Sequence, residues 1–440
     1  MAVNPRIDVS TSLATSGTDL TPEELAELAA TIASDILFTT DIGLPGERVP
    51  DETWHLPGER AHGTAAVYYG NGRTHLEKPF LFADGFNYGP SDLPALFNHF
   101  NAPYESGRPG LFDQLQARGY DIVLIGFDER HTHIQHNAEV ARAAIVRAIQ
   151  ERVGTEPLTV GGVSMGGIIT RYALAKLEND SLDHQTGTYL SWDSPHNGAW
   201  IPLILQQMAY FFEKLSPAKP GEPSQADLIR SPAAQQLLWA WVPDAKYSGE
   251  VATTSELRTD FVRELADLGN FPQRPRLLGV ANGRGDGTGR PLPAGEIAFD
   301  WQALVASATA RFQPDRGTEQ RIGGMHAGLS MRRSTTTEVP ALDGVPGGTL
   351  DSFGKVADAI KAKISEDYRS GAFVPAVSAS ALVYDPIKWD VDPNLNLLDL
   401  VGQDPERFLL NEVAFDTENT EHSAVSGVLA EWVLDKLSDN

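Results

Sequence analysis

The chain has 440 residues, 59 acidic against 35 basic, a formal net charge of −24 and no cysteine. Without cysteine there is no disulfide scaffold, no thiolate nucleophile and no cysteine-ligated zinc or iron–sulfur site. The charge argues against nucleic acid as the main partner, and against docking onto anionic lipid surfaces, because both rely on clustered Lys and Arg.

Hydrophobic residues make up 41% and charged residues 21%, a globular composition. The N-terminus carries no basic stretch followed by an apolar run. No signal peptide is therefore expected, and a cytoplasmic location is slightly favoured. No window approaches the roughly 18 apolar residues of a membrane span, so stable membrane insertion is not expected.

Residues 1–20 read as a loose leader. A helix is predicted next, with Thr21 as cap, Pro22 at its first position and Glu24 closing a capping box. Leu25, Leu28, Ile32 and Ile36 give it one apolar face. Residues 40–62 are rich in Pro, Gly and charge and read as loop. Strands are predicted at Ala65–Tyr69, Pro79–Ala83, Tyr120–Phe127, Leu158–Val163, Thr188–Trp192 and Leu277–Ala281. Helices are predicted at Leu111–Arg118, Asn137–Val153 and Ile168–Leu177. Short apolar strands alternating with helices imply a mostly parallel sheet with helices on both faces.

Two segments interrupt the alternation. Residues 199–270 carry apolar helices. Residues 295–340 alternate or are β-branched and predict an antiparallel meander. Leu350–Tyr368 then reads as helix, Phe373–Val383 as extended and Val425–Leu437 as a closing helix. The expected organisation is a leader and helix over 1–62 and a core built from 63–198, 271–294 and 371–440. A helical cap over 199–270 and a β-rich insertion over 295–370 complete it.

The strongest chemical signal is Gly162-Val163-Ser164-Met165-Gly166, a G-x-S-x-G pattern between a strand and a helix. A serine on such a turn projects its hydroxyl clear of the sheet. The helix N-terminus and the Met165 amide then face the oxygen that becomes negative on attack. The competing reading is an ordinary glycine-rich turn.

With its neighbours this motif resembles the α/β-hydrolase superfamily, and its lipase- and esterase-like members in particular. KPFLFADGF resembles the strand and oxyanion loop, and GGVSMGGIITRYAL the nucleophile elbow with its helix. SWDSPHNGA resembles the segment after the next strand. FVPAVSASAL and ENTEHSAVSGVLAEWV resemble the C-terminal segment and the histidine loop. The resemblance implies a Ser–acid–His triad and an acyl-enzyme.

Of the histidines after Ser164, His422 fits the general base, because it lies in a polar loop before the last helix. The resemblance suggests a hydrogen-bonding role for His196. Asp286, in the loop after LLGVA, is the expected acid, with Asp367, Asp385 and Asp416 kept as alternatives. The oxyanion hole is expected from the amides of Met165 and Phe86, with the unusual Asp84 pointing away. Tyr88, Phe211 and Trp239 are candidate pocket residues, the last two from the cap. His131, His133 and His136 form an H-x-H-x-x-H cluster, read as a polar loop and not as a metal site.

The sequence therefore predicts a serine esterase acting on a small-molecule ester with an apolar acyl group, without cofactor or metal. An acyltransferase or thioesterase-type cyclase on the same triad, and a non-catalytic binding protein of the same fold, are the alternatives.

Overall fold

The computed structural model describes Glu23 and residues 48–104, 107–215, 224–245 and 254–438. The helix expected over residues 21–36 therefore lies outside the described residues, Glu23 apart.

The chain is a mixed α/β protein built on one eight-stranded sheet. Its strands are β1 (Glu52–Pro57), β2 (His62–Tyr68), β3 (Pro79–Ala83), β4 (Asp121–Phe127), β5 (Leu158–Val163), β6 (Thr186–Trp192), β7 (Arg276–Arg284) and β14 (Glu412–Asp416). Their order across the sheet is β1-β2-β4-β3-β5-β6-β7-β14. β1 with β2, and β2 with β4, run antiparallel, and every other pair is parallel.

The parallel strands are buried on both faces, and their side chains alternate between two cores. Leu81, Val123, Ile125 and Val160 point to one side, under Ile145, Ile168 and Ile169. These three lie on α3 (Ile134–Glu151) and α4 (Met165–Asn179). Phe80, Phe82, Ile122 and Leu124 point to the other side. They meet α1 (Leu93–Asn101), α2 (Leu111–Ala117) and the last helix, Gly427–Ser438. Parallel strands require such crossovers, which is why the sheet is covered twice.

Residues 40–62 are not all loop. β1 lies within them and forms the sheet's outer edge, with Trp54 and Leu56 turned inward. The extended reading of Phe373–Val383 also needs correction. A short strand, Gly371–Pro375, gives way to a helix at Ala376–Ala379. Within Leu350–Tyr368 the α-helix covers only Ser352–Ala359.

The helices of residues 199–270 are α5 (Leu203–Leu215), α6 (Gln225–Arg230), α7 (Pro232–Leu237) and α8 (Glu256–Asp267). Beyond β7 the chain forms a separate antiparallel sheet of β8 (Ile297–Gln302), β9 (Ala306–Arg311), β10 (Gln320–Ala327) and β11 (Ser330–Thr336). Ala306, Ala308 and Ala310 face inward while Ser307, Thr309 and Arg311 face outward. The inward face packs on α5, with Ile204 against Gly323. A two-stranded ladder, β12 (Gly347–Leu350) with β13 (Gly371–Pro375), returns the chain to the main sheet. Among the described residues no helix is long and apolar enough to cross a membrane.

One buried carboxyl joins these parts. Asp343 takes hydrogen bonds from Trp200 Nε1 (2.7 Å) and the Gln313 amide (2.6 Å). Burial pushes its pKa up to about 6, against the two hydrogen bonds. A folded-state value above the ordinary one means this group's contribution is fullest below about pH 4. That contribution is lost as pH rises through 6, at a cost of about 3 kcal/mol. An asparagine in its place would not titrate, and its Nδ2 cannot accept one of these two hydrogen bonds, so it loses stability by an amount that does not change with pH. Denaturant unfolding of both proteins should show Asp343→Asn gaining on the wild type between about pH 4 and pH 7. Parallel stability curves would count against this.

Candidate active site

Ser164 follows β5 and precedes α4, with φ 54° and ψ −126°. A non-glycine residue holds such angles only where its surroundings over-determine them. Here the Ser164 amide donates to Trp192 O (2.8 Å), and its carbonyl accepts from the Gly167 amide (3.2 Å). The turn also needs close approach. A Cβ on Gly166 would lie 2.1 Å from Ala83 O, so only hydrogen fits between α4 and β3. Met165 opens the helix, so its amide has no partner within it, and the helix dipole adds positive character there.

The loop after β3 lies against the serine. A Cβ on Gly85 would sit 3.1 Å from Ser164 Cβ. Phe86 follows, half-buried between two apolar cores. Asp84 is turned elsewhere. Its Oδ1 accepts from the Gly85 amide (2.8 Å), and its Oδ2 faces Arg130 Nη1 (3.4 Å). Burial pushes the Asp84 pKa up, and Arg130 opposes that shift.

His422 is buried, and its Nδ1 lies 2.7 Å from Oδ2 of Asp193. This contact leaves Nε2 as the ring nitrogen for other partners. Asp193 is the first residue after β6, as Ser164 is the first after β5. Val163 and Trp192, their predecessors, are paired across the sheet. The histidine is thus anchored at the strand end adjoining that of the serine.

The carboxylate on His422 is not Asp286. β7 continues through Arg284, and Asp286 lies in the loop that follows it. Asp286 instead forms a two-pronged ion pair with Arg284 (2.5 and 3.2 Å) and accepts from the Thr288 amide. These contacts hold its carboxyl well below the usual carboxylate range. The alternatives are engaged elsewhere as well. Asp385 accepts from the amides of Ile387 and Lys388. Asp416 bonds Thr417 and Thr420, at the root of the histidine loop. Asp367 sits in an exposed 3₁₀ turn.

Asn282, absent from the sequence reading, ties this region together. Its amide donates to Asp193 Oδ1 (3.0 Å), its Oδ1 accepts from the Ser423 amide (3.1 Å), and its Nδ2 donates to Ala424 O (2.8 Å). It is fully buried. Asn282→Ala would leave Ser423 N and Ala424 O without these partners, at about 1–3 kcal/mol. Loosening of the His422 loop should lower kcat by about tenfold. A variant as unstable as this but with unchanged kcat would remove the positioning role.

The remaining candidates fall into two groups. Tyr88 is partly exposed and stacks on His131, ring centroids 4.6 Å apart. Phe211 and Trp239 are core residues, contrary to the pocket reading. Phe211 packs edge-on against Phe212. Trp239 packs on Trp389 and donates to Ile387 O. Both side chains lie in one apolar core that also holds Phe299, Ala308 and Trp389. His196 accepts from Arg171 Nη1 (3.4 Å) and lies 3.0 Å from Ser191 Oγ. Burial first, and Arg171 second, hold its pKa well below the usual histidine value. Of the H-x-H-x-x-H cluster, His131 pairs with Glu129, while His133 and His136 contact each other.

Fold and site together define a mixed α/β protein with a serine on a strained strand–helix turn, beside a buried histidine–carboxylate pair. No family model matches the sequence, and no curated protein matches it. Solved structures similar to it include lipase BlEst2 from Bacillus licheniformis in its propeptide form. That match has 17% identity and a TM-score of 0.29, and covers 53% of this chain and 39% of that one. Another is Est1E from Butyrivibrio proteoclasticus, at 10% identity and TM-score 0.31, covering 52% and 77%. A third is a hyperthermophilic esterase from the archaeon Pyrobaculum calidifontis, at 11% identity and TM-score 0.32, covering 64% and 80%.

Proposed function

We propose that the protein is a serine hydrolase of the α/β-hydrolase fold that cleaves a carboxylic ester with an apolar acyl group. The contact that carries this reading is His422 Nδ1 to buried Asp193, at the strand end beside Ser164. Asp193 fixes the imidazole with its proton on Nδ1 and stabilises the positive charge that develops. Nε2 takes the Ser164 proton as the hydroxyl oxygen attacks the ester carbonyl. The amides of Met165 and Phe86 receive the developing oxyanion. Collapse expels the alcohol, protonated by His422, and leaves an acyl-serine. Water, deprotonated by His422, then releases the acid. No step calls on a cofactor or a metal.

The core supplying these groups spans 63–198, 271–294 and 371–440, extended at its edge by β1. Residues 199–270 act as cap and 295–370 as a β-rich insertion. Tyr88, two residues past Phe86, is the candidate for substrate contact. The partner is a small-molecule ester, with neither nucleic acid nor stable membrane insertion involved.

A fluorophosphonate probe tests the reading. The intact protein should form an adduct that maps to Ser164, and Ser164→Ala should form none. A folded wild-type protein without a Ser164-dependent adduct would overturn it. Product analysis with and without an alcohol or amine acceptor then separates hydrolysis from transfer. Persistent free acid identifies hydrolysis.

A further inference from the structure

The −24 charge is not evenly spread. The outward face of the β8–β11 sheet collects Arg311 from β9, Arg321 from β10 and Arg333 from β11. Thr309, beside Arg311, faces Gly324, and Gly324 faces Arg333. Arg321 lies over the same spot, for a Cβ on Gly324 would be 3.1 Å from its Nη2. The guanidinium groups are close enough to disfavour one another's charge. The Arg321 pKa is lowered by burial first, then by Arg333 and Arg311.

Elsewhere arginines such as Arg230, Arg276 and Arg369 are matched by carboxylates. Among the described residues, Arg311, Arg321, Arg332 and Arg333 form no ion pair. Arg311 and Arg321 bond only carbonyls, of Gly295 and Gly323. Asp300, paired with Thr309 across the sheet, shares this face, and its carboxylate is engaged by Thr309 and Gln302.

The same sheet exposes large apolar side chains at one end. The β8–β9 and β10–β11 turns adjoin there, joined by Gly328 N to Val305 O (2.8 Å). Leu304 is 66% exposed, Leu329 fully exposed and Met331 67% exposed. Met331 and Arg333, two residues apart on one strand, share the outer face.

We propose that this face docks the protein on an anionic phospholipid surface. Arg311, Arg321 and Arg333 meet the phosphates while Leu304, Leu329 and Met331 enter the rim of the acyl region. Guanidinium groups match phosphate oxygens in geometry and charge. A soluble polyanion would satisfy the arginines but leave the leucines and methionine in water. A lipid interface satisfies both. The acidic remainder of the chain counts little, because charges beyond about 8 Å are screened at physiological salt. The inward face packs on α5, so docking would bring the cap side towards the lipid. The net charge argued against such a surface, but only the local charge decides it.

The test uses the full chain and vesicles, and no catalysis. Wild type and Ser164→Ala should co-sediment alike with phosphatidylcholine vesicles containing phosphatidylglycerol. They should not co-sediment with phosphatidylcholine alone, and salt should release them. Arg321→Ser and Arg333→Ser should each weaken binding about fivefold. Leu329→Ser with Met331→Ser should weaken it while keeping the salt dependence. All four positions are solvent-facing or at the sheet edge, and unfolding curves matching wild type would exclude misfolding. Equal binding to both vesicle types would overturn the proposal. So would arginine variants that bind as wild type, or capture by heparin but not by vesicles.

Discussion

Asp193→Asn is expected to lower kcat on an activated short-chain ester by about 10⁴-fold, while Asp286→Asn leaves it within about twofold. The first figure follows from what the carboxylate does. An amide cannot hold the imidazole with its proton on Nδ1, and it cannot stabilise the imidazolium. The fold should survive, because the Asn282 amide needs only one acceptor oxygen, now supplied by Asp193 Oδ1 and retained by asparagine. The second figure follows from position. Asp286 is bound to Arg284 at the surface of the loop and has no contact with His422. Kinetics of both variants, with thermal unfolding as a control, would decide. A nearly normal Asp193→Asn beside an inactive Asp286→Asn would return the role to Asp286.

Much of the fold was legible in the sequence. PFLFA, YDIVLIGF and LTVGGV are apolar runs too short for helices. Strands buried on both faces are written that way. β1 was missed because only Trp54 and Leu56 turn inward, and prolines close by disguise a two-residue alternation. Ser164 was legible because strand, glycine turn and helix are contiguous. The partner of His422 was not, because 229 residues separate it from Asp193. A signal existed all the same. Asp193 directly follows an apolar strand that neighbours the strand leading to Ser164, and it precedes His422 in the expected chain order. Phe211 and Trp239 failed differently. An apolar residue in such a segment looks the same in sequence whether it lines a pocket or fills a core.

β12 reaches the proposed catalytic centre, and Gly348→Ala should show it with a loss of about 100-fold in kcat. β12 runs alongside both Asp193 and the histidine loop. Thr349 N donates to Thr420 O, and His422 N donates to Thr349 O. A Cβ on Gly348 would lie 2.0 Å from Asp193 Oδ2, the oxygen that holds His422. Asp193 is wholly enclosed and its backbone is tied to β7 through Val280, so the carboxylate must turn. A displacement of about 1 Å at such a contact costs on the order of 10²-fold in rate. Overpacking should remove about 1–3 kcal/mol of stability as well. Gly402→Ala is the control. It lies on the helix Leu397–Gln403 with nothing within 4 Å of the added carbon, so it should leave both quantities near wild type. Full activity in Gly348→Ala would mean that Asp193 Oδ2 can move without consequence, and would weaken its place beside His422.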